Sequence, residues 1–172
     1  VASNLSLLGC KTYLAGFVGN DHNFETLSRL LWENKINQDG LIATESPTTT
    51  KVRIMSGRQQ MFRMDFEDVS PRSIIQFATL ESYIRRRLND SFDAVVIADY
   101  EKGVCTEYFC EAVIKAAHSH GVPVTVMPYG QQWIKYAKSD YVTPNIAKIN
   151  KIMLTPITGE DDETVERAGR YI

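Results

Sequence analysis

The chain has 172 residues, of which 44% are hydrophobic and 23% are charged, and its formal net charge is −2. This balance is typical of a soluble globular domain with a sizeable core, and it offers no overall positive field for binding nucleic acid or an anionic membrane surface. The longest apolar runs are too short to span a bilayer, and the N-terminus lacks the basic-then-apolar pattern of a signal peptide.

The first forty-odd residues predict two helices, each followed by a strand. VASNLSLLG has apolar residues at helical spacing and ends on Gly9, a natural C-cap, so it predicts a helix that begins before residue 1. KTYLAGFVGND predicts a strand and a turn, and GLIAT predicts a short strand. Between them, HNFETLSRLLWENK predicts an amphipathic helix with Leu27, Leu30 and Leu31 on one face.

The stretch TTTKVRIMSGRQQMFRMDFED has two β-rich arms around a Ser-Gly break. Charged residues alternate with apolar residues along both arms: Lys51, Arg53, Arg63 and Asp65 on one side, and Val52, Ile54, Met64 and Phe66 on the other. This period of two predicts a hairpin. Such a hairpin is either a lid or interface arm, or an ordinary edge hairpin with a solvated charged face.

The remaining residues alternate between strands and helices. Ser70-Pro71 predicts the start of the helix RSIIQFATLESYIRRRL. FDAVVIAD, VPVTVMP and DYVTPN predict strands, the last ending at Asn145; TEYFCEAVIKAAHSHG and the closing TGEDDETVERAGRYI predict helices. This alternation indicates an α/β fold with a parallel sheet and helices on both faces. Because the chain begins in mid-helix and ends in a helix with no strand after it, we expect a piece of a larger α/β domain.

Polar groups follow three of the predicted strands, and ligands of open parallel sheets bind beyond the carboxyl ends of the strands. The three groups are Asp99-Tyr100 with Lys102-Gly103, Pro128-Tyr129-Gly130, and Thr143-Pro144-Asn145. They predict one pocket, and the alternative is a set of ordinary turns, caps and loops. Lys102 and Gly103 would suit an anion, since an ammonium stands beside backbone that can approach closely. Neither a G-x-x-x-x-G-K-[ST] nor a G-x-G-x-x-G phosphate loop is present.

The cysteines and histidines predict neither a metal site nor a disulfide framework. Cys10, Cys105 and Cys110 have no zinc or redox spacing, and this odd number in a chain without a signal peptide indicates reduced thiols in the cytoplasm. Cys105 and Cys110 flank a helix start, where a packing role is expected. His118 and His120 lie near a helix C-terminus, where a solvated or dipole-facing role is expected.

In this order, VASNLSLLG…LAGFVGND, TTTKVRIMSGRQQMFRMDFED, ADYEKG and TPN resemble the ribokinase-like carbohydrate kinases. Within that family they are most similar to the heptose 7-phosphate kinase domain of the heptose-phosphate kinase/adenylyltransferases, which make activated heptose for the inner core of bacterial lipopolysaccharide. The resemblance implies a three-layer α/β/α sandwich with a small β-sheet lid, at about residues 48–67, that also pairs subunits into a homodimer. Residues 1–172 would then be part of one kinase domain, truncated at both ends.

The resemblance also implies a reaction, phosphoryl transfer from ATP with Mg²⁺ to the C1 hydroxyl of heptose 7-phosphate. The expected partners are a sugar phosphate and ATP, with no nucleic acid and no membrane. The acceptor-binding residues implied are Lys51, Arg53, Arg63 and Asp65 in the lid, and Asp99, Tyr100, Lys102 and Gly103 at the strand end. Asn145 matches the asparagine at the nucleotide and metal end of the cleft, and Lys148 stands three residues after it. Phosphoryl transfer relies on such positioning and on cations that neutralise developing charge.

This sequence departs from the family pattern at three places. The usual Asp-Pro-Lys-Gly is Met127-Pro128-Tyr129-Gly130, and Lys148 replaces a glutamate that helps to organise Mg²⁺. A cation there would repel the metal and would have to act by touching phosphate directly. The family's Gly-Ala-Gly-Asp segment, which supplies the anion hole and catalytic aspartate, is expected beyond residue 172. Because general-base help is worth about 10²–10⁴-fold and an oxyanion-type donor a similar factor, this chain alone is expected to be inactive, with no catalytic or metal-binding residue of its own.

Three alternatives remain open. The first is a degenerate, non-catalytic relative that binds sugar phosphate or acts as a scaffold, which Met127, Tyr129 and Lys148 favour. The second is a ribokinase-like kinase of another small substrate, such as another sugar, a nucleoside or a vitamin. The third is an α/β domain with no retained site.

Overall fold

The computed structural model describes residues 1–158 and 161–171. The chain divides into two compact units. Unit 1 contains Val1–Arg87 and Lys102–Val104, and unit 2 contains Leu88–Glu101 and Cys105–Ile172. Within the described residues, no helix is both long and apolar enough to cross a membrane.

Unit 1 opens with α1 (Ala2–Leu7), β1 (Tyr13–Gly19), α2 (His22–Glu33) and β2 (Asn37–Thr44). Gly9, with φ +90°, follows the end of α1 in the left-handed conformation, and its N–H donates to the carbonyl of Ser6. The predicted glycine stop is therefore confirmed. β1 and β2 pair in parallel. On α2, Leu31 is buried but Leu30 is 45% exposed, so the predicted apolar face is wrong at Leu30, because adjacent helical residues point about 100° apart.

The predicted hairpin is present as β3 (Thr50–Ser56) and β4 (Gln59–Phe66), which pair antiparallel around a turn at Gly57. The register places Lys51 opposite Asp65 and Arg53 opposite Arg63. The residues between them, which include Phe62 and Met64, form the other face. Phe62 and Met64 are 52% and 38% exposed, so this apolar face is largely uncovered within the described residues.

The helix after the hairpin, α3, spans Ile74–Leu88. Its predicted start at Ser70-Pro71 is wrong. The Ser73 hydroxyl accepts from the N–H of Gln76, and the Gln76 side chain accepts from the N–H of Ser73. This reciprocal capping box ties up the first free N–H groups and so sets the start of the helix three residues later than predicted. Phe77 of α3 packs edge-on against Phe17 of β1, with 5.3 Å between the ring centroids.

Unit 2 contains a parallel sheet of β5 (Val95–Ala98), β6 (Val124–Met127) and β7 (Tyr141–Val142), in the order β5-β6-β7. The predicted parallel sheet is therefore confirmed. α4 (Glu107–Ser119) begins at Thr106, whose hydroxyl accepts from the N–H of Phe109. It buries Cys110, which is 1% exposed, as the packing interpretation of this thiol predicts.

The end of the third strand differs from the prediction. β7 ends at Val142, and Asn145 is instead the N-cap of the short helix α5 (Ile146–Ile149). The Asn145 side chain accepts from the N–H of Lys148 at 2.9 Å, which explains why the backbone turns into a helix here. A 3-10 helix (Trp133–Tyr136) precedes β7, and α6 (Asp162–Tyr171) is the last helix. The Gly-Glu part of its predicted start lies outside the described residues, as does residue 172.

Candidate functional site

Asp99 lies directly after β5 in unit 2, and its carboxylate is enclosed by protein groups. The side chain is only 2% exposed. Oδ1 accepts from the backbone N–H of Glu101 at 2.6 Å. Oδ2 accepts from Lys135 Nζ at 2.5 Å and from the Tyr136 hydroxyl at 2.6 Å. This arrangement ties the tip of β5 to the 3-10 helix and satisfies a buried charge with an ammonium and two further donors.

Lys135 and Tyr136 were not singled out by the sequence. They belong to a single turn of 3-10 helix, which is too short to give a periodic signal. Burial and the hydrogen bond to Asp99 raise the pKa of Tyr136, so its hydroxyl stays protonated and remains a donor to Asp99. The Tyr136 oxygen also accepts from the N–H of Tyr129 at 3.3 Å, which links the tip of β5 to the tip of β6.

The tip of β6 is in turn linked to α5. The ammonium groups of Lys148 and Lys151 lie 5.8 Å and 5.1 Å from the centroid of the Tyr129 ring, distances at which a cation is attracted to an aromatic face. Asn145 caps the same helix through the N–H of Lys148. Within unit 2, contacts therefore join all three polar strand tips: Asp99 through Tyr136 to Tyr129, and Tyr129 through Lys148 to Asn145.

Two cysteines lie beside this network. Cys105 immediately precedes Thr106, the N-cap of α4, and Cys110 is the fourth residue of that helix. Side chains at these two positions commonly pack against each other at helix starts. A hydrogen bond with Cys110, together with burial, raises the pKa of Cys105. Cys105 is thus held as the neutral thiol, as a packing residue would be, rather than as a reactive thiolate.

The second candidate site lies in unit 1 and is an ionic network on the hairpin. Lys51 Nζ lies 2.7 Å from Asp65 Oδ2 and 3.7 Å from a Glu67 oxygen, and Lys102 Nζ lies 2.6 Å from the other Glu67 oxygen. Arg63 Nε lies 2.7 Å from Asp65 Oδ1. We call Lys51, Arg63, Asp65, Glu67 and Lys102 the hairpin ion network.

The hairpin ion network gathers predicted acceptor residues that are far apart in the chain. Glu67, which joins Lys51 to Lys102, was missed, although it continues the alternation of β4 by one step. The hydrogen bonds from Lys51 and Arg63 hold the pKa of Asp65 below its usual range. Exposed ion pairs of this kind contribute little to stability, so a ligand could replace them at low cost.

The other predicted acceptor residues have simpler surroundings. Arg53 faces Arg63 across the hairpin and is exposed. Gly103 has φ +86°, which favours glycine, and a Cβ there would come no nearer than 3.7 Å to other atoms. Tyr100 is 56% exposed. Asp99 and Tyr100 belong to unit 2, whereas Lys102 and Gly103 belong to unit 1.

The residues expected at the metal end of the site do not match the ligand preferences of Mg²⁺. Among residues 1–158 and 161–171, no group of three or more His, Cys, Asp or Glu side chains could hold a metal ion. Beside Asn145, the charged groups on the Tyr129 ring are the two lysines Lys148 and Lys151. Mg²⁺ is usually bound by carboxylate, phosphate and water oxygens, so these residues suit an anion rather than a divalent cation.

A surface depression of about 490 Å³ lies in unit 1. It is lined by Phe24, Glu25, Ser28, Arg29, Trp32 and Gln38. None of the predicted site residues line it, and its walls hold no combination of groups suited to phosphoryl transfer.

Several solved structures share this fold. The 2-dehydro-3-deoxygluconokinase of Thermotoga maritima matches with a TM-score of 0.76 at 13% identity, covering 99% of this chain and 56% of that one. The phosphofructokinase-2 of Escherichia coli, solved in complex with fructose-6-phosphate, matches with a TM-score of 0.70 at 16% identity, covering 99% and 55%. These likenesses confirm the ribokinase-like α/β fold class.

Comparison with sequence relatives identifies the family. The bifunctional protein HldE of Methylobacillus flagellatus is 38% identical over 146 residues, which are 84% of this chain and 30% of that protein. The D-beta-D-heptose 7-phosphate kinase of Bordetella bronchiseptica is 35% identical over 170 residues, which are 99% of this chain and 52% of that protein. The chain thus spans about half of that kinase and about a third of the bifunctional relatives. The family pattern described as pfkB family carbohydrate kinase matches residues 1–172, and the chain belongs to this family.

Proposed function

We propose that this chain is the acceptor-binding part of an ATP-dependent kinase that phosphorylates the C1 hydroxyl of heptose 7-phosphate, in the synthesis of ADP-heptose for lipopolysaccharide. The observation that carries the proposal is the hairpin ion network, which gathers cations and carboxylates suited to a sugar phosphate. The 35% identity to a protein named D-beta-D-heptose 7-phosphate kinase supports this choice of sugar. The same proposal includes a reducing, cytoplasmic location, which the three free cysteines support.

The chemistry of the hairpin ion network fits a ligand with both hydroxyl and phosphate groups. It contains three cations and two carboxylates, so it keeps one net positive charge when all of its ion pairs are formed. A phosphate group would take over the ammonium groups of Lys51 and Lys102 through charge-assisted hydrogen bonds. Asp65 and Glu67, released from these cations, would accept hydrogen bonds from sugar hydroxyls. Holding the acceptor in this way is the positioning on which phosphoryl transfer depends.

In this proposal Asp99 acts differently from the hairpin residues. Its carboxylate is 2% exposed and already accepts from three protein donors. We therefore assign it a supporting role within unit 2, holding Glu101 and the 3-10 helix in position.

The proposal is tested by calorimetric titration of the chain with heptose 7-phosphate. We expect Lys51→Gln to weaken binding about tenfold, the effect of losing one charge-assisted hydrogen bond to phosphate. Lys35→Gln, on an exposed lysine of the same unit, is the matched control and should leave the affinity unchanged. Equal affinity in the two variants would refute the role of the hairpin ion network. Tighter binding of another sugar phosphate would favour a different substrate within the same family.

A second candidate function is a non-catalytic sugar-phosphate-binding protein. The observation that favours it is the replacement of acidic and basic family positions by Met127, Tyr129 and Lys148. The two functions are distinguished by a turnover assay of the full-length gene product with ATP and heptose 7-phosphate. Tight sugar binding without turnover would support the binding protein, and turnover would exclude it.

We also propose that two copies pair through the hairpin. The support for this is the apolar face that includes Phe62 and Met64, which is largely exposed. A two-stranded hairpin is only marginally stable alone, and a second copy of the same face is self-complementary about a twofold axis. Sedimentation of the wild type should show a dimer that Phe62→Ser dissociates, whereas Arg58→Ser at the hairpin turn should leave it intact. A monomeric wild type at all concentrations would contradict this assembly.

A further inference from the structure

Two ammonium groups lie against one aromatic ring in unit 2 without a carboxylate partner. Lys148 Nζ and Lys151 Nζ lie 5.8 Å and 5.1 Å from the centroid of Tyr129. Within residues 1–158 and 161–171, neither lysine forms an ion pair with an acidic side chain. Lys148 and Tyr129 are half-buried, while Lys151 is exposed, so the group is accessible from solvent.

Other lysines of the candidate sites are neutralised, which sets this pair apart. Lys135 is paired with Asp99, and Lys102 is paired with Glu67. An acid, Glu101, lies against the neighbouring Gly130, and its Oε1 fills the space that a Cβ on Gly130 would occupy. Within the described part of the chain Glu101 forms no ion pair with Lys148 or Lys151, so neither positive charge is compensated by an acid there.

This arrangement favours a multivalent anion. The tyrosine ring attracts both ammonium groups, and two like charges that lie against one ring repel each other. An anion with several oxygens relieves the repulsion and gains a charge-assisted hydrogen bond from each lysine. A phosphate group has this valence and number of acceptors. The location, beyond the carboxyl end of β6, is where ligands of parallel sheets bind.

We propose that Lys148, Lys151 and Tyr129 form a phosphate-binding site that neutralises a phosphate chain directly, without a divalent ion at this position. The assignment of this phosphate chain to a nucleotide rests on the proposed function. The shared chemistry is the phosphate group, which could equally be carried by a sugar. Lys151 was not among the residues that the sequence singled out, because an exposed lysine in a loop carries no signal of its own.

The experiment is calorimetric titration of the chain with three probes: tripolyphosphate, ADP and heptose 7-phosphate, each with EDTA and each with Mg²⁺. We expect Lys148→Gln and Lys151→Gln each to weaken tripolyphosphate binding about fivefold to tenfold in EDTA, the effect of one lost charge-assisted contact. Lys115→Gln removes an exposed lysine from α4 of the same unit and should have no effect. Tyr129→Phe should keep the affinity, because the ring is retained, and Tyr129→Leu should lower it.

The three probes test whether the phosphate site exists and also which kind of molecule carries the phosphate. Equal losses of affinity for ADP and tripolyphosphate support a nucleotide phosphate, whereas losses for tripolyphosphate and heptose 7-phosphate without a loss for ADP support a sugar phosphate at the same lysines. The proposal is overturned if Lys148→Gln and Lys151→Gln behave like Lys115→Gln, if none of the probes binds, or if tripolyphosphate binds only with Mg²⁺. Failure of the proposed sugar kinase function would instead appear as an unchanged heptose 7-phosphate affinity in Lys51→Gln, with the tripolyphosphate result intact.

Discussion

Replacing Asp99 by alanine should destabilise unit 2 severely. The side chains of Asp99 and Lys135 are 2% and 13% exposed, and the Tyr136 residue is 3% exposed. Asp99→Ala leaves the buried Lys135 ammonium without this acceptor and leaves the Tyr136 hydroxyl with the more distant carbonyl of Tyr129, at 3.5 Å. Breaking a buried ion pair by removing one partner costs about 3–5 kcal/mol. Because the Lys135 ammonium keeps slight access to water, we expect about 3 kcal/mol, a large part of the roughly 5–15 kcal/mol that stabilises a typical domain.

A double-mutant cycle isolates the ion pair. Lys135→Met should cost less than Asp99→Ala, about 2 kcal/mol, because Asp99 keeps its hydrogen bonds from Tyr136 and Glu101. The double variant leaves no buried charge without a partner. Its loss of unfolding free energy should therefore be smaller than the sum of the losses in the two single variants by more than about 1 kcal/mol.

The assay is urea denaturation followed by circular dichroism at pH 7, comparing free energies of unfolding at constant m-value. Asp93→Ala, on an exposed aspartate just before β5, is the matched control and should change the free energy by less than about 0.5 kcal/mol. If Asp99→Ala costs no more than Asp93→Ala, or if the double variant costs the full sum, the buried pair does not hold the strand tip and the reasoning is refuted.

Three further predictions concern unit 1 and the chain as a whole. Gly40→Ala should lose about 1–3 kcal/mol of stability by urea denaturation, because its Cβ would lie within 2.8 Å of a carbonyl oxygen, while Gly16→Ala, with open space around it, should lose little. Lys51→Gln should raise the pKa of Asp65 towards the usual 3.8, as measured by carbon NMR of the carboxyl group. Because the pKa of Asp65 is depressed in the folded protein, the contribution of this carboxylate to folding stability is present above pH 3.8 and is lost as the pH falls through the lower, folded-state pKa. An unchanged titration midpoint of Asp65 in the variant would mean that Lys51 does not contact it. The 172-residue chain contains no Gly-Ala-Gly-Asp segment and should show negligible turnover with ATP and heptose 7-phosphate; turnover at ordinary kinase rates would contradict the missing-base argument.

The sequence by itself determined the local elements of this protein. Alternation of charged and apolar residues predicted the hairpin, and apolar runs bounded by turn residues predicted β5 and β6. The motif resemblance identified the family. These inferences succeed because period, capping and turn preferences act over a few neighbouring residues. They were less accurate at element ends: Ser73 rather than Ser70 starts α3, and Asn145 caps a helix rather than ending a strand, because several residues nearby could have served as caps.

Only the tertiary structure decided which side chains meet. Asp99 meets Lys135 from 36 residues away, and Lys102 meets Glu67 across 35 residues. No local pattern encodes such a pairing, since it depends on where the whole intervening backbone returns. The same holds for Lys151, which the fold brings to Tyr129. The sequence therefore predicted which residue types stand at the strand tips, while the backbone path between them determined that Asp99 is enclosed and that Lys148 and Lys151 lie against the same aromatic ring.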